Sequence, residues 1–146
     1  MPSLRTTNGR GRLYESILDT IGDTPCVRVK IGVPVDVRLY VKAEFFNPAS
    51  SIKDRLAISI IEEAERKGIL NTGDTVIETT SGNTGFSIAM ASIIKGYQCV
   101  LAVSSKSSPD KIDMLRAMGA TVYVCPGHVK ADDPRSYYHC LLYTSP

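Results

Sequence analysis

Residues 73–103 read GDTVIETTSGNTGFSIAMASIIKGYQCVLAV, and the alternation within them decides the fold class. The turn Asn71-Thr72-Gly73-Asp74 opens onto a short β-rich run at 75–78. Small polar residues follow at 79–85, then a helical pattern at 83–95 closed by Gly96, then an almost unbroken apolar run at 98–103. Such a run suits a parallel strand covered on both faces. Further out the pattern repeats. Ser107 or Ser108 caps a helix with Pro109 and Asp110 in its first turn, Ile112, Leu115 and Met118 inward and Gly119 at its stop, before a strand at 121–124. Successive β-α-β units joined by short loops predict an α/β fold: an open, twisted parallel sheet with helices on both faces and right-handed crossovers.

Upstream lies Asn47-Pro48-Ala49-Ser50-Ser51-Ile52-Lys53-Asp54-Arg55, where an irregular loop turns into a helix. Ile52, Leu56, Ile60 and Ala64 recur every four residues with Ala57 and Ile61 beside them, and Glu62, Glu63, Glu65, Arg66 and Lys67 lie opposite. That spacing predicts an amphipathic helix ended by Gly68. Lys53 falls in its first turn, at the positive end of the helix dipole, where the neutral and nucleophilic amine is favoured. Lys53 therefore reads either as a Schiff-base lysine or as an ordinary solvated one, with Asp54 beside it opposing the dipole. Before this loop, 13–21 has the spacing of a short helix closed by Gly22 and Asp23-Thr24-Pro25, and 27–31 and 37–43 read as a pair of strands. Residues 1–12 read as a mobile arm, and Gly9-Arg10-Gly11 lacks the preceding strand and third glycine of a dinucleotide fingerprint.

The chain of 146 residues, 43% hydrophobic and 22% charged, fits one globular domain with a real core. A net charge of +2 without a basic block gives no footprint for nucleic acid, and no apolar run reaches membrane-span length. With no secretory core at the N-terminus, a cytoplasmic protein is expected. Cys26, Cys99, Cys125 and Cys140 form no C-x-x-C pair, so neither a zinc site nor a disulfide framework is expected. The Cys125–His128 spacing lacks a second ligand pair.

Thr79-Thr80-Ser81-Gly82-Asn83-Thr84-Gly85 sits where a strand ends and a helix begins. Small residues there let backbone amides approach a ligand, and the helix N-terminus suits a carboxylate or phosphate. A capped turn without a ligand is the plainer alternative, but ligands of open parallel sheets lie beyond the carboxyl ends of the strands, where this loop falls. Taken together, NPASSIKDR and TTSGNTG resemble the pyridoxal-phosphate enzymes of the tryptophan-synthase β fold, more narrowly cysteine synthase and cystathionine β-synthase. ESILDTIGDTP, EFFNP, IEEAERKGIL, GDTVIETTSGNTG, SPDKIDMLRAMGATVYVCP and DDPRSYY match in the same order, so the resemblance spans residues 13–138.

The resemblance implies pyridoxal 5'-phosphate as cofactor, bound as a Schiff base to Lys53, with Asn83 hydrogen-bonded to its ring hydroxyl oxygen. Thr80, Ser81, Gly82, Asn83 and Thr84 would hold the substrate α-carboxylate, and Lys53, once freed, would take the α-proton. The implied reaction is β-replacement, making cysteine or cystathionine from serine or O-acetylserine and a thiol or sulfide, in a protein that is a homodimer at full length. A β-elimination or diaminopropionate-type relative, and a non-catalytic binding module of the same fold, stay open. Ser50 and Thr79 stand where relatives commonly have Gly and Pro, and Cys26 where a larger aliphatic residue is usual. The family's later phosphate loop and pyridine-nitrogen partner have no counterpart here, and 139–146 breaks the expected helical pattern. The expected organisation is an arm at 1–12, a segment at 13–44 that packs on a domain missing from this chain, a small α/β domain at 45–138 and a non-family tail at 139–146. The chain is accordingly expected to be an N-terminal fragment, inactive alone.

Overall fold

The structure, a computed structural model, describes residues 13–80 and 82–140. The expected arm at 1–12, Ser81 and the end of the expected tail at 141–146 lie outside the described residues.

Among the described residues five strands and three α-helices follow one another as β1 (Cys26–Val29), β2 (Leu39–Lys42), α1 (Lys53–Arg66), β3 (Thr75–Thr80), α2 (Asn83–Ile94), β4 (Gln98–Ser104), α3 (Pro109–Ala117) and β5 (Thr121–Cys125). β1 and β2 form an antiparallel pair with Cys26 opposite Lys42 and Val29 opposite Leu39. The other three strands make a parallel sheet in the order β3-β4-β5, with Thr75 opposite Gln98 and Val100 opposite Thr121. This is the parallel α/β architecture expected from the alternating pattern: α2 links β3 to β4 and α3 links β4 to β5 through short loops, while α1 leads from the antiparallel pair into β3. All three helices contribute to the core on one face of the sheet.

The central strand explains its own apolar run. Cys99, Leu101 and Val103 turn one way, into a cluster with Ala57 and Ile61 of α1, Ile88, Ala89 and Ala91 of α2, and Ile112 and Leu115 of α3. Ala102 turns the other way, against Cys125, with Val100, Tyr137 and Cys140 packed beside them. Alternate side chains of a strand point to opposite faces, so a strand buried on both must be apolar at nearly every position. α2 is the middle helix of its layer, touching α1, α3 and the sheet. Its small residues Gly85, Ser87, Ala89, Ala91 and Ser92 are buried and leave room for that close approach.

Two sequence expectations need correction. The run at 13–21 forms a single 3₁₀ turn, Ile17–Thr20, because Ser16 accepts a hydrogen bond from Leu18 N and Asp19 reaches back to Ser16 N, a capping box that starts and fixes one turn. Leu13 is 93% exposed, so the run has no continuous apolar face to bury. On α1 the buried side is Asp54, Ala57 and Ile61, whereas Ile52, Leu56 and Ile60 are all exposed. The four-residue repeat marks a second apolar stripe, rotated away from the sheet.

That rotation is testable by truncation. Ile61→Ala should lower the unfolding free energy by about 3 kcal/mol, as expected for a cavity in a close-packed core. Ile60→Ala, one position along, should cost less than about 1 kcal/mol. Urea titration of both variants checks the difference.

Candidate active site

The loop that delivers Lys53 is closed by the residues around it. Ser51 Oγ accepts from Lys53 N at 3.1 Å, which caps the first turn of α1. Asp54 is fully buried, and its carboxylate accepts from Ala49 N at 2.7 Å and from the Ser87 hydroxyl at 2.5 Å. The first bond folds the loop back on the helix it precedes. The second ties the start of α1 to the second turn of α2. Ser87 Oγ also lies 3.0 Å from the carbonyl oxygen of Asn83, the first residue of α2. Through Asp54 and Ser87 the structure brings the N-terminal ends of α1 and α2 together, and with them Lys53 and Asn83. Asp54, next to Lys53 in sequence, directs its carboxylate into these buried contacts. Lys53 is exposed, and among the described residues no ion pair or hydrogen bond reaches its amine.

A second network holds the loop from the other side. Asn47, 3% exposed, accepts from Gly22 N at 2.8 Å and donates to the Glu44 carbonyl and carboxylate, both at 2.9 Å. Arg55 grips Glu44 in a fork, Nε to Oε2 at 2.9 Å and Nη2 to Oε1 at 3.1 Å, and the Thr24 hydroxyl donates to Oε1 at 2.7 Å. The Arg55 hydrogen bond, followed by that from Thr24, lowers the Glu44 pKa from its ordinary 4.5 to about 2. Gly22 has a positive φ of 90°, and a Cβ there would stand 3.0 Å from Arg55 Nη1. A side chain at that position would press on the fork. Ser50 also takes a positive φ, 57°. This left-handed turn is the physical reason a glycine suits the position better than the serine present.

The polar loop after β3 is shaped by Thr80. Its buried hydroxyl accepts from Gly85 N at 3.0 Å and Gly82 N at 3.3 Å, so it organises the turn from within. Gly85 packs directly on Thr80, and a methyl group added there would collide with the threonine side chain. Gly82 precedes α2, Asn83 is exposed at its first position and Thr84 is half-buried at its second. The first-turn amides of a helix have no intrahelical acceptor; Thr80 takes up that of Gly85, and among the described residues no hydrogen bond engages those of Asn83 and Thr84. A cleft of about 560 Å³ lies further along, lined by Ser104, Lys106, Lys111, Gly127 and Tyr137, and neither Lys53 nor Asn83 borders it.

Asp54, Ser87, Glu44, Asn47 and Arg55 carry this geometry, and reasoning from sequence gave Asp54 only an opposing charge beside Lys53 and the other four no separate role. A signal was present for Asp54, which shares the buried face of α1 with Ala57 and Ile61 at helical spacing. An acidic residue on a core face must find donors. No such signal marks Glu44, whose partners lie up to 20 residues away.

Lys53 at the start of α1 thus stands at the same end of the helix pair as the polar loop that opens α2. The family model for pyridoxal-phosphate dependent enzymes matches residues 17–143, and the chain belongs to that family. Cystathionine beta-synthase of Oryctolagus cuniculus is 46% identical over 129 residues, 86% of this chain but 23% of that protein. O-ureido-L-serine synthase of Streptomyces lavendulae is 45% identical over 117 residues, 80% of this chain and 36% of that protein. Among solved structures, cysteine synthase from Entamoeba histolytica superposes with a TM-score of 0.78 at 36% identity, covering 85% of this chain and 38% of that one. The chain thus spans between about a quarter and two fifths of these relatives. Among the described residues no helix is long and apolar enough to cross a membrane.

Asp54→Ala should cost about 2–4 kcal/mol of stability, since two buried donors lose their acceptor at once. Amide exchange at Ala49 should accelerate beyond the global change, because its own acceptor is removed. The Glu44 fork gives a pH signature. Its contribution is complete above the ordinary carboxylate value of 4.5 and is lost as pH falls from there toward about 2. Thermal melts should therefore show wild type and Glu44→Gln well separated at pH 6 and converging at about pH 2.5.

Proposed function

We propose that this chain carries the lysine and substrate-loop half of the site of a β-replacement enzyme that joins a serine-type amino acid to a sulfur nucleophile. The observation that carries the reading is the unpartnered Lys53 amine held at the same end of a helix pair as Asn83 and the open amides of α2. Family membership and similarity to cystathionine beta-synthase and cysteine synthase support it.

The residues present fit the cofactor's aldehyde end: Lys53 has an exposed amine that no ion pair or hydrogen bond among the described residues engages, and Asn83 offers an exposed amide at the first position of α2. Lys53 would hold the cofactor covalently, and Asn83 would hydrogen-bond its ring oxygen. When bound, pyridoxal phosphate supplies an electron sink for negative charge at the substrate α-carbon. Lys53, released from its attachment, would take the α-proton as a general base and return it later as an acid. The turn formed by Thr80, Ser81, Gly82, Asn83 and Thr84 would bind the α-carboxylate, Thr80 by setting the turn's shape and the first-turn amides of α2 by direct hydrogen bonds. Serine or O-acetylserine would be the donor and sulfide or an alkyl thiol the acceptor.

The same reading gives a purpose to the exposed apolar residues. Val27, Val37, Leu39, Tyr40 and Val41 of the β1–β2 unit, with Phe45 and Phe46 after it, are each at least 46% exposed. A grouping of that kind marks an interface. It would face the remaining part of the longer fold seen in the relatives, with 13–44 as the docking segment and 45–138 as the small α/β domain, and the complete protein would be a homodimer.

Protein loaded with pyridoxal phosphate should absorb near the visible edge, and borohydride reduction followed by peptide mapping should leave the label on Lys53. Lys53→Ala should remove both signals while keeping the far-ultraviolet circular dichroism of the parent. Absence of the absorbance would point to a binding module of the same fold, and a label on another lysine would overturn the assignment.

A further inference from the structure

Four thiols are distributed unevenly over the fold. Cys26 is exposed on β1 and Cys99 is buried on the sheet face that meets the helices. Cys125, 2% exposed at the end of β5, lies on the opposite face beside Ala102, and Cys140 packs against the same pair although it is 15 residues further along. The return of the chain is fixed by its backbone. Ser136, 3% exposed, donates its hydroxyl to Ala131 O at 3.0 Å, and its carbonyl accepts from His139 N at 3.0 Å and Cys140 N at 2.8 Å. The start of the segment is held by Ser105 N, which donates to Cys125 O at 2.8 Å. Both ends of the loop are thus anchored where the two thiols meet.

We propose that Cys125 and Cys140 are an intramolecular redox pair that closes to a disulfide when the protein meets an oxidising low-molecular-weight disulfide. Cys140 is half-buried and is the end an oxidant can reach, whereas Cys125 is enclosed. Burial, then the hydrogen bond with Cys140, raises the Cys125 thiol to about 12, which disfavours the thiolate at that end of the pair. Exchange runs through Cys140. Its thiolate attacks one sulfur of oxidised glutathione, breaking that bond, forming a mixed disulfide and releasing one glutathione thiolate. The Cys125 sulfur then attacks the Cys140 sulfur, gives its proton to solvent and expels the second glutathione. The protein is oxidised by two electrons and one oxidised glutathione becomes two reduced molecules.

The bond would staple a segment that borders the cleft. Pro126, Gly127, Ala131, Ser136 and Tyr137 form one wall of the 560 Å³ cleft whose other wall carries Lys106 and Lys111. Closing the loop removes freedom from the unfolded chain and fixes that wall to β5. The pairing requires nothing of the catalytic reading above.

The test is native incubation of the full 146-residue chain in glutathione buffers of increasing oxidation, followed by alkylation and non-reducing peptide mapping. A Cys125–Cys140 peptide, loss of two hydrogens and a higher melting temperature reversed by dithiothreitol are expected. Cys140→Ser should abolish all three, while Cys26→Ser leaves them intact. Because Cys125→Ser alters a packed site, Cys140→Ser, changed at a half-exposed position, keeps the test decisive. Glutathione stranded on Cys140, bonds through Cys26, dimer crosslinks alone, or both thiols still free at full oxidation would overturn the proposal.

Discussion

A carboxylate with no access to water has to be given donors by the protein, and Asp54 receives them from two separate pieces of the chain. The Ala49 amide belongs to the loop before α1, and the Ser87 hydroxyl to the helix beyond the next strand. Neither piece can move without leaving a buried charge short of a partner, which costs far more than an ordinary contact. The constraint is therefore positional. Lys53 stands one residue before Asp54, so the lysine is placed by a neighbour that points away from it.

The Glu44–Arg55 fork extends the same logic outward. Arg55 follows Asp54 on the first turn of α1, and its guanidinium reaches back to Glu44 and Thr24, where Asn47 and Gly22 join the network. Four short stretches of sequence are bound at one corner: the turn at 22–24, the 3₁₀ turn Glu44–Phe46, the loop to Ser51 and the start of α1. Arg55 and Glu44 are partly solvated, so their pairing adds less to stability than to direction. Direction is what a loop needs when it must present one amine.

The parallel sheet was the legible part of this chain. β3, α2, β4, α3 and β5 were each marked by a period, a cap or a glycine stop, and observed ends differ from expected ones by one or two residues. Local signals sufficed because these elements answer to their neighbours in sequence. The faces of α1 were less legible. Ile52, Leu56 and Ile60 compete in hydropathy with Ala57 and Ile61, and the sheet selects the smaller alanine where α2 comes close. At the site, the lysine and the polar loop could be seen as types of residue in suggestive places. The hydroxyl and carboxylate that join them could not, since Asp54 and Ser87 are 33 residues apart and look ordinary in isolation.

Thr80 shows how a polar residue can shape a loop from within. Its hydroxyl has finite capacity, and the amides of Gly82 and Gly85 already use it. Gly85 must stay bare for that arrangement, because any Cβ would displace the threonine that shapes the turn. The described small residues of TTSGNTG thus divide into two kinds: Thr80 and Gly85 build the turn from within, and Asn83 and Thr84 stand at the start of α2 with more exposure. A polar residue at such a loop is read correctly only when its hydrogen bonds inside the protein are counted before any are assigned to a ligand.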